Sequence, residues 1–224
     1  MNICIFSCTT KSDETQTDLY KSCLEFEHLD VYFKKENTDG LSKSYNNFLY
    51  SKEANEYDIV VFCHDDVFID DLKLKSKLQA ATELGYDIIG LAGCVNPKIT
   101  RPALWHLMAG GFNSNNLRGI VNHYQDETRK HHFATNFGPT PSRVAILDGL
   151  FLAVNVKKAK EVGWGFNENY NFHHYDITSC LDANNKKLKL GVYPINVIHC
   201  SHGLRSFDDN FKNSEDAFMR EYSR

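Results

Sequence analysis

The chain has 224 residues, and its 25 Lys and Arg against 29 Asp and Glu leave a formal net charge of -4. With 42% hydrophobic and 12% aromatic residues it can fill a continuous core, which excludes disorder along its whole length. A weakly acidic balance offers no basic stripe to track a phosphate backbone, so nucleic acid is excluded as the main partner and a small or neutral one is expected.

In chain order, residues 3–7 read as a buried strand, 14–26 carry apolar residues near helical spacing, and 29–33 read as a second strand. Asn37, Thr38, Asp39 and Gly40 form a turn signal. Leu41, Tyr45, Phe48 and Leu49 then share one helical face, and residues 58–63 are the strongest strand in the sequence. Strand, helix, strand, helix, strand predicts a parallel α/β sheet. A helix over 72–84 and a strand over 88–92 continue the pattern. From 96 to 143 the chain is rich in Gly, Asn, His and Pro, which predicts a meander of loops and short antiparallel strands. Strands follow at 144–147 and 150–154, helices at 157–162 and 175–184, and strands at 188–193 and 196–199. Residues 207–222 are polar with an intermittent apolar stripe, as in a surface helix. No repeat or linker interrupts the chain, so one domain is expected.

No stretch approaches the ~18 apolar residues of a membrane span. The apolar start, Ile3 to Phe6, is cut off by Ser7, Thr9, Lys11 and Asp13, too soon for a signal peptide, so a cytoplasmic protein is expected. The seven cysteines are scattered, with Cys4, Cys63 and Cys94 inside apolar runs and no C-x-x-C pair. That pattern fits a reduced compartment rather than a disulfide framework or zinc ribbon.

The segment richest in chemistry is the end of the strongest strand, where an apolar run leads directly into His64, Asp65 and Asp66. Ligands of a parallel sheet sit beyond the carboxyl ends of its strands. Adjacent acids there suit a hard divalent cation that keeps positions open for phosphate oxygens, although a solvated acidic turn has the same residues. The P-loop, the G-x-G-x-x-G fingerprint and the G-x-S-x-G elbow are all missing. A zinc hydrolase built from His106, His123, His131, His132, His173 and His174 is a rival, disfavoured because no chelating spacing such as H-E-x-x-H occurs.

Residues 3–9, the stretch from Asn37 through Gly40 to Asn46, and residues 57–66 together resemble the nucleotide-binding half of GT-A fold glycosyltransferases of the family 2-like type. Gly40 and Asn46 match the family's G-x-x-x-x-x-N helix start, and Asp66 matches the second Asp of its metal motif, with Asp65 in the middle and His64 where a first Asp is usual. A small subgroup is similar in carrying His-Asp-Asp there. Farther on, Asp148 and Gly149 look like the family's acceptor-side Asp-Gly, residues 172–177 resemble its F-H-x-Y-D-I segment, and residues 197–199 resemble its terminal strand and His. Thr178 stands where the subgroup commonly has a second acid.

The resemblance implies an α/β, single GT-A (Rossmann-like) domain over 1–203, with a mixed, mainly parallel central sheet and a small antiparallel acceptor-side region. Residues 1–95 would be the nucleotide-binding half, 96–203 the acceptor-binding half, and 204–224 a helical extension. It further implies a metal-dependent, inverting transfer of a sugar from a nucleoside-diphosphate sugar, UDP by default, to a hydroxyl acceptor in polysaccharide or glycoconjugate synthesis. Ser7, Thr9, Asn37, Lys43, Asn46 and Asp65 would touch the nucleotide. Asp66 and His199, preferred over His202, would hold Mn²⁺ or Mg²⁺, and Asp176 would be the general base. Trp105, Asp148, Gly149 and His173 would contact sugar or acceptor. On the residues alone, Asp176 is also a favourable helix N-terminal acid, His199 a buried histidine and Trp105 a core residue. The saccharide acceptor could be lipid-linked, with peripheral membrane contact. A GT-A-like scaffold that merely binds carbohydrate or protein is the competing reading, prompted by His64 and Thr178.

Overall fold

The apolar run Ile3–Cys8 is buried at every position, and so is Ile59–Cys63. Runs of this kind belong to strands covered on both faces, and the computed structural model sets the two side by side and parallel within a seven-stranded sheet. The structure describes residues 1–124, 131–200 and 207–223. In chain order the elements are β1 (Ile3–Cys8), α1 (Asp18–Cys23), β2 (Asp30–Lys34), α2 (Leu41–Leu49), β3 (Ile59–Cys63), β4 (Val67–Ile69), α3 (Leu74–Glu83), β5 (Ile88–Gly90) and β6 (Ala92–Cys94). There follow α4 (Trp105–Met108), β7 (Leu117–Tyr124), β8 (His132–Gly138), β9 (Ser142–Val144), β10 (Ile146–Leu147), β11 (Phe151–Asn155), α5 (Val156–Glu161), α6 (Tyr175–Asn185), β12 (Leu190–Val192), β13 (Val197–His199) and α7 (Asp209–Tyr222).

The larger sheet has the order β2-β1-β3-β11-β5-β12-β9. Five of its strands (β2, β1, β3, β5, β12) run one way, while β11 and β9 run the other. The sheet is therefore mixed, and β11 enters antiparallel between β3 and β5. The second sheet, β10-β6-β7-β13-β4 with β8 bonded to β7, has one parallel pairing among the described residues, between β13 and β7.

Where the chain passes between the sheets decides where the site lies. It crosses at 64–66 between β3 and β4, at Leu91 between β5 and β6, at Ala145 between β9 and β10, and at 148–150 between β10 and β11. The crossings at Leu91 and Ala145 split the expected strands 88–92 and 144–147, because a run without a charged or polar side chain does not reveal where it changes sheet. The crossings 64–66 and 148–150 lie side by side, since Phe151 pairs with Cys63 and the His64 N–H donates to the Leu150 carbonyl at 3.0 Å. Strand β13 ends at the same seam, with His199 opposite Val67 and the Cys200 N–H donating to the Asp66 carbonyl at 2.8 Å.

Two other expectations change. The helix expected over 14–26 is a 3-10 turn, Glu14–Gln16, followed by α1, because the Thr17 hydroxyl caps α1 by accepting the Tyr20 N–H at 3.1 Å. The meander over 96–143 holds α4 and a hairpin of eight- and seven-residue strands, longer than expected, since the inward positions Leu117, Gly119 and Val121 of β7 alternate with less buried ones. The terminal helix α7 does more than lie on the surface. Phe211 and Phe218 are buried, and Phe218 stacks on His174 at 5.6 Å between ring centroids.

Candidate active site

Three side chains from the seam, His64, Asp66 and His199, bring one ligating atom each within 4.8 Å of one another, the one such His, Cys and acid cluster among the described residues. His199 Nε2 lies 3.5 Å from Asp66 Oδ2. The other carboxylate oxygen, Oδ1, is buried without a hydrogen-bond partner, a costly arrangement unless something positive meets it. Burial would raise the Asp66 pKa, but the His199 hydrogen bond and the two imidazoles outweigh it and hold the group low. Burial likewise pulls His199 down, and Asp66 more than offsets it, so His199 is raised; His64 is lowered, chiefly by burial. Two imidazoles and a carboxylate with an unspent oxygen fit a divalent cation. Among the described residues, none of the six histidines of the rival zinc reading belongs to this cluster.

His64 is oriented by its neighbours. The Tyr175 hydroxyl has one proton and donates it to the Gly149 carbonyl at 2.8 Å, so His64 Nε2, 2.9 Å from that hydroxyl, is the donor to it. The lone pair of His64 therefore sits on Nδ1. The Gly149 N–H donates in turn to Asp176 Oδ2 at 3.1 Å, and the Ile177 N–H donates to Asp176 Oδ1 at 2.8 Å. A Cβ on residue 149 would collide with the Tyr175 hydroxyl and approach the Asp176 Cβ to 2.9 Å, so only glycine lets the crossing and the start of α6 come this close. Burial, reinforced by the charge of Asp148, raises the Asp176 pKa to about 7. Asp148 is itself held by the Trp105 indole N–H at 2.6 Å and the Leu150 N–H at 3.1 Å.

A cleft of about 240 Å³ opens beside the trio, lined by residues that include Thr9, Asn37, Gly40, Asp65, Asp66 and Phe172. Of the residues expected at the nucleotide, Thr9, Asn37 and Asp65 line it. Ser7 does not, because it is fully buried and its hydroxyl donates to the Cys63 carbonyl at 2.7 Å between β1 and β3. Asn46 is also spent elsewhere: its amide N–H donates to the Phe166 carbonyl and to Glu168 Oε1, each at 2.8 Å, and its oxygen accepts the Phe166 N–H at 2.8 Å. Lys43 lies outside the cleft lining, paired with Asp39 at 3.9 Å on the exposed side of α2. Trp105 is 7% exposed and offers Asp148 a hydrogen bond rather than a face to a sugar. His173 is turned toward α7, with its ring 5.3 Å from that of Phe211 and Nε2 3.9 Å from Asp208. Thr178 is buried with its hydroxyl bonded to the His174 carbonyl at 2.9 Å, so the departure there falls inside the helix layer. His202 lies outside the described residues.

His64, Tyr175 and Phe172 were not among the expected site residues, although all three lie within the matched motifs. His64 stood in the subgroup's His-Asp-Asp with no role of its own, although an imidazole at that place can ligate as a carboxylate does. Tyr175 lay inside the F-H-x-Y-D-I segment, and only the glycine at 149 hinted that a side chain had to fit against it.

A mixed α/β sheet with an acid and an imidazole just beyond the carboxyl end of β3, beside a cleft, is the arrangement expected of a GT-A type of fold. The family described as "glycosyltransferase like family" matches residues 20–222, and the chain belongs to it: the protein is a glycosyltransferase with a family 2-like GT-A fold. Among solved structures, the A197 protein from STIV aligns with a TM-score of 0.51 at 12% identity, over 87% of this chain and 82% of that one. S. aureus TarS 1–349 in complex with UDP gives 0.51 at 12% identity over 90% of this chain and 61% of that one. S. aureus TarS gives 0.50 at 12% identity over 99% and 39%. The chain thus spans less than two thirds of either TarS chain, and at this identity the likeness is one of fold. Among curated proteins nothing matches. Among the described residues no helix is long and apolar enough to cross a membrane.

Proposed function

We propose that the protein transfers a sugar, with inversion, from a nucleoside-diphosphate sugar to a hydroxyl of a saccharide or lipid-linked saccharide acceptor, in a reaction that needs a divalent cation. One observation carries the reading. The cluster of His64, Asp66 and His199 is joined through Tyr175 and Gly149 to a carboxylate, Asp176, whose pKa is raised to about 7. A base poised near neutrality is matched to deprotonating an alcohol as it attacks. The acceptor proton passes to Asp176 as the acceptor oxygen bonds to the anomeric carbon; the bond from that carbon to the diphosphate oxygen breaks, and the diphosphate leaves with the electron pair. Attack opposite the leaving group inverts the centre.

Held by His64 Nδ1, His199 and Asp66, the cation would act as a Lewis acid toward charge developing on the diphosphate. Two imidazoles favour Mn²⁺ over Mg²⁺, which prefers all-oxygen sites. In this reading residues 1–95 bind the donor, with uridine as the family-level default, residues 96–203 face the acceptor, and 204–224 form a terminal extension. The protein works in the cytoplasm, touching a membrane only peripherally.

The test is release of nucleoside diphosphate from a panel of nucleotide sugars with Mn²⁺, the anomer of the freed or transferred sugar being followed by NMR. The reading predicts cation-dependent release with the anomer opposite to that of the donor. Retention of configuration, or no release from any donor, contradicts it.

A further inference from the structure

Phe172 is a large apolar side chain left 60% exposed while lining the cleft. It comes from the segment leading into α6, whereas the rest of the lining comes from the ends of β1 and β3 and the start of α2 with the turn before it. The backbone just before it is held against α2. The Leu41 N–H donates to the Asn171 carbonyl at 2.7 Å, the Ser42 hydroxyl donates to the Tyr170 carbonyl at 2.6 Å, and the Phe172 ring rests edge-on against His173 at 5.1 Å. Gly40, at φ +85°, permits this approach, since a Cβ there would lie 2.8 Å from the Asn171 Cβ.

The lining therefore falls into two chemically different sets. Asp65, Asp66 and His64 make one acidic. The rest, which includes Thr9, Thr10, Asn37 and Gly40, carries no charged side chain, and Phe172 is its exposed aromatic ring. Asn37 has little left for a ligand, because its amide donates to the Gly40 carbonyl at 3.1 Å while its oxygen accepts from the Ser44 hydroxyl at 2.9 Å and the Asp39 N–H at 3.2 Å. Thr9 and Thr10 can meet a ligand's polar groups, while the exposed ring of Phe172 offers a face on which a flat ring can stack.

We propose that Phe172 is the stacking platform for the nucleobase of the donor, with the diphosphate directed toward Asp66. This rests on the nucleotide-sugar reading above. It also gives the donor a direct contact with the segment that carries Asp176, four residues farther on.

The experiment is calorimetric titration of UDP and of inorganic pyrophosphate, each with Mn²⁺, into the wild-type chain and into Phe172→Ala and Phe172→Tyr. The exposed position makes both variants safe for folding, checked by an unchanged Tm. UDP should bind Phe172→Ala about tenfold or more weakly, as expected for loss of one base–aromatic stack. Pyrophosphate should bind it as it binds the wild type, and Phe172→Tyr should restore UDP affinity. In Phe172→Trp, quenching of indole fluorescence by UDP and not by pyrophosphate gives a direct signature. Wild-type affinity of Phe172→Ala for UDP overturns the proposal and leaves the donor reading standing, whereas equal loss of UDP and pyrophosphate overturns it in favour of a role at the phosphates or in the fold. A wild-type chain that binds neither overturns the donor reading and the platform with it.

Discussion

Asp176 combines two properties that pull against each other. Its raised pKa makes it a suitable base and makes its charged form unwelcome in the folded chain. The folded pKa of about 7 stands above the unfolded carboxylate value, so the folded state holds the proton more tightly and loses stability as pH rises from about 4 through 7. Asp176→Asn should therefore raise Tm by several degrees at pH 8 and change it little at pH 4, while lowering kcat about 10²- to 10⁴-fold and leaving UDP affinity intact. In the wild type the acidic limb of kcat should climb about tenfold per pH unit and flatten above 7, as the carboxylate form fills. A flat profile between pH 5 and 8 would remove Asp176 as the base. Tyr175→Phe deletes the hydroxyl that fixes the His64 proton on Nε2, so Mn²⁺ affinity, read by electron paramagnetic resonance, should fall about 10- to 100-fold, the usual cost of losing a partner behind a metal ligand. An unchanged affinity would mean that His64 does not ligate through Nδ1.

At the scale of elements, the segment that brings Phe172 to the cleft is anchored by connections that look unrelated to it. Helix α7 grips the segment before α4 through Glu215, which accepts the Ala103 N–H at 2.6 Å and pairs with Arg101 at 2.9 Å, and it grips the segment before α6 through His174 and through Tyr170, whose hydroxyl donates to Glu221 at 2.9 Å. Glu215→Ala leaves the Ala103 N–H buried and unpaired and should cost about 1–3 kcal/mol in denaturant unfolding. Asn46→Ala should likewise destabilise, through three lost hydrogen bonds to the 166–168 segment, with no direct nucleotide contact to lose. The long apolar runs made β1 and β3 legible in the sequence, the shorter ones β2, β11, β12 and β13, and helical spacing α2, α5 and α6. The splits at Leu91 and Ala145 were not legible, because burial on both sides is the same before and after the chain changes sheet. Nor was the pairing of Ser7 and Asn46 with other protein groups, since a hydroxyl or amide at a motif position reads the same whether it faces a ligand or a neighbouring carbonyl.

Across the whole molecule, the site is a consequence of two sheets meeting along one seam. Two adjacent crossings and the end of β13 deliver His64, Asp66, Asp148 and His199 to one place, and the glycine at 149 lets α6 close in with Asp176. The sequence made Asp66, His199 and Asp176 legible as motif members and set His64 beside Asp66, yet it could not show that His64 and His199 meet, since that depends on a register between strands about 130 positions apart in the chain. The measurement that bears most directly on this account is titration of UDP into the wild-type chain with Mn²⁺, with a chelator, and in Asp66→Ala. The account predicts tight binding only in the first case, because the orphaned Asp66 oxygen and its two imidazoles hold the cation that the diphosphate needs. Equal UDP affinity in all three would contradict it.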